Sequence, residues 1–335
     1  MNQTTYRALV VRGNLEQGYK RAVEEVSIAD LPAGEVLVRV HYSSLNYKDG
    51  LSAIGNKGVT RKFPHTPGID AAGVVEASTV DLFAVGDDVL CMGYDLGMNT
   101  PGGFAQYIRV PAKWVLAKPD QLSLYETMQI GTAGFTAAQC VDRLLHFGVQ
   151  TDQGPILVTG ATGGVGSIAV ALLSGLGFEV TGVTGKKSEH SFLLQLGCTT
   201  ILNRLQATGR PAAAILKECW AGVVDTVGGE ILATAIKSTR YNGVVTCCGN
   251  AASGDLPLTV YPFILRGVSL VGIDSANCPM ARRCSIWQQL AGSWRLDMLD
   301  RVSSCISLDQ VSRAIDEMLA GKIRGRMVVD LGVTA

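Results

Sequence analysis

The sequence has no excess of charge. Lys plus Arg and Asp plus Glu number 29 each, so the formal net charge is zero. No field of one sign is available to hold nucleic acid or an anionic bilayer, and neither partner is expected. No apolar run reaches the ~18 residues that a membrane-spanning helix needs. Met1 to Arg12 carry no apolar core of the kind found in a secretion signal. Histidine is scarce, at His41, His65, His146 and His190 only. Cysteine is not, but its nine residues are scattered, odd in number and without a C-x-x-C pair. That pattern argues for reduced thiols rather than a disulfide framework, and it gives a structural zinc site little to draw on. A soluble, cytoplasmic protein is the expectation. Charged residues make up only 17 % against 47 % hydrophobic, which excludes disorder and allows a sizeable core. A length of 335 residues suggests two domains or one large one.

What the sequence does have is one dense glycine turn. Ile156-Leu-Val-Thr-Gly-Ala-Thr-Gly-Gly-Val-Gly166 runs from an apolar β segment into glycines, and an apolar helical run, Ser167 to Leu176, follows. Glycines let a backbone turn tightly and approach a pyrophosphate, and the helix N-terminus offers N–H groups and a dipole to that anion. The spacing G-x-G-x-x-G falls on Ala161, Gly163 and Gly166, so its first glycine is alanine, with Gly160 and Gly164 flanking. An isolated glycine fingerprint is weak, because ligand-free glycine turns are common. Here Gly177 suits a helix stop, and Glu179 to Thr184 reads as a second strand. Together they complete a βαβ unit of about 30 residues, the length that nucleotide binding requires.

Residues 1 to about 125 read as β-rich, with short runs at 6–11, 35–41, 72–76 and 88–91 separated by turn signals. This is not a βαβ rhythm, and it suggests a small barrel or strongly bent sheet. Ser43 to Gly50 can form a short helix or turn, and 55–62 is a basic, glycine-punctuated loop. A helical stretch covers about 124–147. After the βαβ unit come a helix over 188–196 stopped by Gly197 and strands at 199–202, 222–225, 243–247 and 268–272. Strands alternating with helices imply a parallel, doubly wound α/β sheet. An amphipathic helix near 308–320 and a strand at 327–331 end the chain.

This order of parts resembles the medium-chain dehydrogenase/reductase superfamily. Specific phrases carry the likeness: Pro67-Gly-Ile-Asp-Ala-Ala-Gly73, Val85-Gly-Asp87, Gly102-Gly-Phe-Ala-Gln-Tyr107, Gly131-Thr-Ala-Gly-Phe-Thr-Ala137 and Gly325-Arg326. Ser43 to Asp49, Pro262 to Arg266 and Gly272 to Ser275 look like its quinone-oxidoreductase-like branch, which includes NADPH-dependent acryloyl-CoA reductases. The resemblance implies a GroES-like catalytic domain at 1–125, completed by 276–335, with a Rossmann domain at 126–275 inserted between. It also implies a homodimer paired through an edge strand near 268–273. The zinc enzymes of the superfamily carry a Gly-His-Glu ligand motif where this chain has Gly68-Ile69-Asp70, and the cysteine ligand expected near Asn46 is absent. No metal is therefore expected.

Thr184-Gly185-Lys186-Lys187 stands where NAD enzymes place an acidic residue for the ribose 2′-OH. A carboxylate would repel a 2′-phosphate, whereas a hydroxyl and a Lys attract it, so NADP(H) is favoured over NAD(H). The alternative is a solvated basic loop. By resemblance, Arg204 supplies a second phosphate ligand, and Thr162, Gly163, Gly164 and Val165 meet the pyrophosphate. Asn250, Ile264 and Ser275 line the adenine-to-nicotinamide groove, and Tyr47 lies beside the nicotinamide. Cys247 and Cys248 read as small apolar thiols filling a buried strand end, not as redox groups.

The expected chemistry is metal-free reduction of an activated C=C bond in a small-molecule substrate, with acryloyl-CoA the leading candidate. An NADPH:quinone oxidoreductase and a non-catalytic NADPH-binding protein are the alternatives. Reduction of an unsaturated carbonyl develops charge on its oxygen, which a placed donor stabilises, and the α carbon needs a proton. Tyr47 carries a phenolic O–H and is the candidate proton donor. Asn46 is the candidate for polarising the carbonyl or fixing the ribose, and Asp49 for fixing the turn. All three acting only to stabilise that turn is the other reading. Lys57, Arg61, Lys62, Arg282, Arg283, Arg324 and Arg326 are candidate partners for the phosphates of a CoA ester, or simply solubilising charges.

Overall fold

The computed structural model describes residues 4–209 and 213–333. In chain order its strands are β1 (Thr5–Asn14), β2 (Gly18–Ser27), β3 (Val36–Ser44), β4 (Asp70–Ser78), β5 (Asp88–Met92), β6 (Tyr107–Val110), β7 (Val115–Ala117), β8 (Ile156–Val158), β9 (Val180–Val183), β10 (Cys198–Leu202), β11 (Trp220–Asp225), β12 (Thr239–Cys247), β13 (Ser269–Gly272), β14 (Ser303–Ser307) and β15 (Arg326–Asp330). The helices are α1 (Tyr47–Ala53), α2 (Leu124–His146), α3 (Gly164–Gly175), α4 (His190–Gln195), α5 (Gly229–Lys237), α6 (Tyr261–Arg266), α7 (Met280–Ala291), α8 (Leu299–Val302) and α9 (Val311–Leu319). Two compact units divide them. One comprises Met1–Thr132, Ala276–Gly292 and Met298–Ala335; the other comprises Ala133–Ser275 and Ser293–Asp297.

The first unit is built on the sheet β14-β15-β3-β4-β5-β7, with β6 also paired to β3. Its N-terminal and C-terminal strands meet where Val328 and Val329 of β15 oppose Ser44 and Ser43 of β3 in antiparallel register. Val36, Val38 and Val40 alternate along β3 into the core, as one buried face of a strand requires. α9 covers this core with Val311, Ala314 and Ile315, at the three-and-four spacing of a single helical face. β2 escapes the sequence pattern. Its Gly-Tyr-Lys-Arg-Ala-Val-Glu-Glu-Val-Ser has no buried residue, and it is a strand because all ten positions pair with β1. Backbone pairing supplies what hydrophobic periodicity does not signal.

The second unit is a six-stranded sheet in the order β10-β9-β8-β11-β12-β13. Every neighbour pair is parallel. This is the doubly wound order in which the first strand lies at the middle and the chain reverses direction across it. Leu157, Val183, Val223 and Val245 form the sheet side of its core, and Leu232, Ala235 and Ile236 of α5 cover one face. α3 begins at Gly164, three residues before the apolar run that announces it, because the glycines themselves take helical geometry. α2 is helical on both sides of a break at Gly131, whose φ of 51° lies in the left-handed region. Among the described residues, no helix is long and apolar enough to cross a membrane.

Candidate active site

In the first unit, an acid and a base are buried together. Asp70 opens β4 and Arg326 opens β15, with side chains 0 % and 2 % exposed, and the guanidinium Nη2 lies 3.8 Å from Asp70 Oδ2. Ser44 Oγ stands between them, donating to Asp70 Oδ2 at 2.5 Å and accepting from Arg326 Nη2 at 2.7 Å. Asp70 also accepts from Asn46 Nδ2 at 2.7 Å, Thr132 Oγ1 at 2.6 Å and Thr132 N at 3.0 Å. Arg326 gives its remaining protons to the carbonyls of Gln129 and Leu45 and to Asn46 Oδ1. Burying two charges is costly unless their polar atoms find partners, and here each nitrogen of the guanidinium and each oxygen of the carboxylate has at least one. Gly131 explains itself in this setting. A Cβ there would stand 2.5 Å from both Arg326 Nη2 and Ser44 Oγ, so the helix breaks at a residue without one.

Asn46, Tyr47 and Asp49 surround the start of α1. Asp49 is fully buried, and its carboxylate accepts the backbone N–H of Asn46 at 2.8 Å, Ile69 at 2.9 Å and Gly68 at 3.2 Å. Burial pushes its pKa up to about 7, with nearby Asp70 adding to the rise and the three backbone donors opposing it. Its use in fixing the turn is thus visible in three hydrogen bonds. Asn46 corrects an expectation. Its amide donates to the Ser44 carbonyl and Asp70 while its oxygen accepts from Arg326, so neither end is free to polarise a substrate. Tyr47 is the first residue of α1 and 47 % exposed, and among the described residues its hydroxyl has no partner within the chain. Two basic candidates are also overturned. Arg326 is spent on Asp70, and Arg283 is 1 % exposed, bonded to the carbonyls of Met92 and Ala276 and packed on the Tyr94 ring. Lys57, Arg61 and Lys62 remain on the surface in the loop after α1.

The sequence does not announce Asp70, Ser44, Thr132 and Gln129 as parts of this network. One signal was present: a lone acid in the apolar run Ile69-Asp-Ala-Ala-Gly-Val-Val75 needs a buried cation or donors. Which residues supply them depends on pairing between strands far apart in the chain.

In the second unit, the glycine turn joins β8 to α3. Gly160 carries the left-handed turn, at φ 58°, one residue before the fingerprint's first position. Ala161 can therefore be alanine, and its fully buried methyl faces Gly182 of β9. Gly166 permits close packing, since a Cβ there would meet the Gly160 carbonyl oxygen at 2.3 Å. Gly163 caps α3 without a side-chain bond, so the first turn of this twelve-residue helix presents bare N–H groups. Asp225 stabilises the turn's floor by accepting from Thr159 Oγ1 at 2.7 Å and Gly228 N at 2.8 Å, and burial raises its pKa.

Thr162, Gly163, Gly164 and Val165 follow β8; Thr184, Gly185 and Lys186 follow β9; Arg204 follows β10. These strands are neighbours in parallel register, so their ends bring the residues together on one edge. Thr162 Oγ1 and Thr184 Oγ1 are 3.2 Å apart, and Thr184 Oγ1 accepts from Lys186 N. The Arg204 guanidinium lies over Gly185, where a Cβ would come within 2.7 Å of Nε. Burial lowers the pKa of Lys186; Glu189 opposes this and Arg204 adds to it. Two cations held this close repel each other, and a dianionic phosphate would relieve that repulsion. Asn250 and Ser275 follow β12 and β13 on the same edge. Ile264 lies in the helix between those two strands and is exposed. It sits late in α6, whose last residue, Arg266, bonds the carbonyls of Lys237 and Thr239 at the start of β12. Burial raises the pKa of Cys247, and a hydrogen bond with Cys140 together with burial raises that of Cys248. Raised thiols make poor nucleophiles.

Comparison with known proteins places this geometry. Residues 32–120 match the family model described as alcohol dehydrogenase GroES-like domain, and residues 164–291 match that described as zinc-binding dehydrogenase. The metal in the second description does not fit the residues present. Ile69 offers no donor atom, both Asp70 oxygens are filled by protein donors, and no group of three or more metal-ligating side chains occurs among the described residues. The acrylyl-CoA reductase AcuI of Ruegeria pomeroyi is 42 % identical over 97 % of this chain and 99 % of its own. The quinone oxidoreductase YhfP of Bacillus subtilis is 41 % identical over 98 % and 99 %, and its crystal structure, with NAD bound, superposes with a TM-score of 0.95. The yhdH oxidoreductase of Salmonella enterica, in complex with NADP, is 41 % identical with a TM-score of 0.94, covering 97 % of this chain and 99 % of that one. Near-complete coverage at this identity, on a parallel dinucleotide sheet and a GroES-like unit, establishes that the chain belongs to the medium-chain dehydrogenase/reductase superfamily, in the group that contains these quinone oxidoreductases and acrylyl-CoA reductases.

Proposed function

We propose that the protein is an NADPH-dependent oxidoreductase that reduces an activated C=C bond without a metal, converting acryloyl-CoA to propanoyl-CoA. The observation that carries the reading is the pair Lys186 and Arg204, held side by side against Gly185 at the end of the second strand of a dinucleotide unit. Two clustered cations and the Thr184 hydroxyl suit a 2′-phosphate, and positions 184–187 hold no carboxylate to prefer a bare ribose. The backbone of Thr162, Gly163, Gly164 and Val165 would hold the pyrophosphate, with Asn250 and Ser275 further along the edge.

NADPH, when bound, supplies the hydride that adds to the β carbon of the enoyl thioester. The electron pair of the C=C bond then moves toward the thioester oxygen, and the α carbon takes a proton. Tyr47 is the proposed donor: its hydroxyl is unengaged among the described residues, and its exposure lets solvent restore the proton. Asn46 holds Arg326 against Asp70, and Asp49 holds the turn that presents Tyr47.

The acyl-CoA reading draws support from the 42 % identity to an acrylyl-CoA reductase. A quinone is the second reading, favoured by the 41 % identity to YhfP. Initial rates of NADPH oxidation with acryloyl-CoA and with 1,4-benzoquinone separate them, with the thioester expected to give the higher kcat/KM. NADH as efficient as NADPH would overturn the cofactor assignment. We also propose a homodimer paired through β13, an edge strand, beside which Ile264 and Leu265 of α6 are exposed. Light scattering on the eluting peak tests it. A cytoplasmic location, supported by nine cysteines standing as free thiols, completes the reading.

A further inference from the structure

Several cations of the first unit have an acid beside them. Arg7 pairs with Asp309, Arg12 with Glu24, Arg21 with Asp316, Lys118 with Asp88 and Arg313 with Glu317. The loop after α1 instead gathers three cations in one short segment. Lys57, Arg61 and Lys62 are exposed within six residues, and none has a carboxylate partner among the described residues. From Gly50 to Ile69 the chain contains no acidic residue at all. In a protein of zero net charge, this is a concentrated positive patch.

The loop is also built. Asn56 receives the backbone N–H of Gly58 on its side chain, and its carbonyl receives those of Val59 and Thr60. Thr60 is buried with its hydroxyl 2.7 Å from that of Ser52 in α1. Arg61 N donates to Asn99 Oδ1 at 3.2 Å, and Asn99 in turn donates to Asp95, which also accepts from Thr100 Oγ1. Lys57 is drawn over the Phe63 ring, 5.3 Å from its centroid, with Nζ 3.4 Å from the Arg61 carbonyl. Gly55 lies flat on Tyr19, where any Cβ would overlap the ring. Bonds of this kind fix the backbone, and none of the three cations meets a carboxylate among the described residues. Pre-ordered cations bind a polyanion with less entropy to lose.

We propose that Lys57, Arg61 and Lys62 form the recognition site for the phosphates of a coenzyme A thioester. The inference rests on the acyl-CoA reading above. It adds the part of the substrate that confers selectivity, the phosphorylated nucleotide tail rather than the acyl group. α1 links this loop to Tyr47. Its seven residues rise about 10 Å, less than the reach of a pantetheine arm, so one thioester can address both. Phosphates also draw most of their affinity from such cations in a salt-dependent manner.

The test uses three acceptors on the full-length enzyme: acryloyl-CoA, acryloyl-pantetheine, which has no phosphate, and 1,4-benzoquinone. The triple variant K57Q/R61Q/K62Q is compared with wild type. Expected is a rise of about tenfold to a hundredfold in KM for acryloyl-CoA, with KM for acryloyl-pantetheine and the NADPH dissociation constant changing less than twofold. Wild type should also lose its preference for the CoA ester between 50 and 500 mM salt, and the variant should have little preference to lose. An equal KM for the two thioesters in wild type, or a variant that keeps the wild-type preference, overturns the proposal. NADPH affinity, read by nicotinamide fluorescence, reports folding and separates this site from the one that holds the cofactor's own phosphate. Failure of the acyl-CoA reading looks different: wild type would turn over benzoquinone and neither thioester. Calorimetric titration with coenzyme A itself then decides the site, with binding lost in the triple variant expected and no binding to wild type overturning it.

Discussion

The two units treat charge in opposite ways. Around Asp70 and Arg326, opposite charges are buried together, and Ser44, Asn46, Thr132 and three backbone groups consume what remains. That arrangement is complete without a ligand. At the ends of β8, β9 and β10, like charges are set side by side near solvent, and Arg204 even lies where Lys186 feels it. Buried and self-satisfied polar groups read as architecture, and exposed, mutually repelling ones read as a binding site. The contrast ties the Asn46 amide to the buried network and motivates the proposal that Lys186 and Arg204 meet the cofactor.

Four measurements press on that contrast. The largest effect is expected from Asp70→Ala, which strands Arg326 as a buried, uncompensated cation. Loss of about 3–5 kcal/mol in chemical denaturation is expected, and a loss below 1 kcal/mol would mean that the network is not structural. Tyr47→Phe, by contrast, should leave the denaturation midpoint unchanged while lowering kcat with acryloyl-CoA at least about a hundredfold. Unchanged turnover removes Tyr47 from proton donation. Next in size is Arg204→Ala, which removes one of two cations facing the proposed phosphate. KM for NADPH should rise about tenfold, the worth of one charge-assisted hydrogen bond, with KM for NADH unmoved. An equal rise for both cofactors would make Arg204 a structural residue.

The smallest effect is a slope. Burial holds the Asp49 pKa at about 7, above the 3.8 of an unperturbed aspartate. Between those values the folded chain binds a proton that the unfolded chain releases, so this residue's contribution to stability falls as pH rises through the window. It is full below the lower value and exhausted above the upper one. Unfolding free energies of wild type and Asp49→Asn from pH 4 to 8 should therefore diverge, with the wild-type curve steeper downward by no more than about 1.4 kcal/mol per pH unit. Parallel curves would place the proton elsewhere.

The second unit was the more legible from sequence. Its strands are short apolar runs between helices, and most candidate residues stand within a few positions of a strand end, where local pattern can locate them. Lys186 and Arg204 are read in that way, 18 residues apart yet adjacent because β9 and β10 are neighbours. In the first unit, the strands β3, β4 and β15 were legible, and the network between them was not. Arg326 and Ser44 are separated by 282 positions, and no local spacing connects them. Nor does composition tell an arginine that meets a substrate from one that meets a carboxylate.

The glycine turn, the parallel sheet and the preference for a phosphorylated dinucleotide follow from the sequence alone, because each depends on residues close in the chain and on rules of backbone geometry. Tertiary structure alone decided which polar residues are already satisfied. It spent Asn46, Arg283 and Arg326 inside the protein and left Tyr47, Lys57, Arg61 and Lys62 facing outward. Whether a charge is available depends on what is buried against it, and burial is set by contacts across the whole chain.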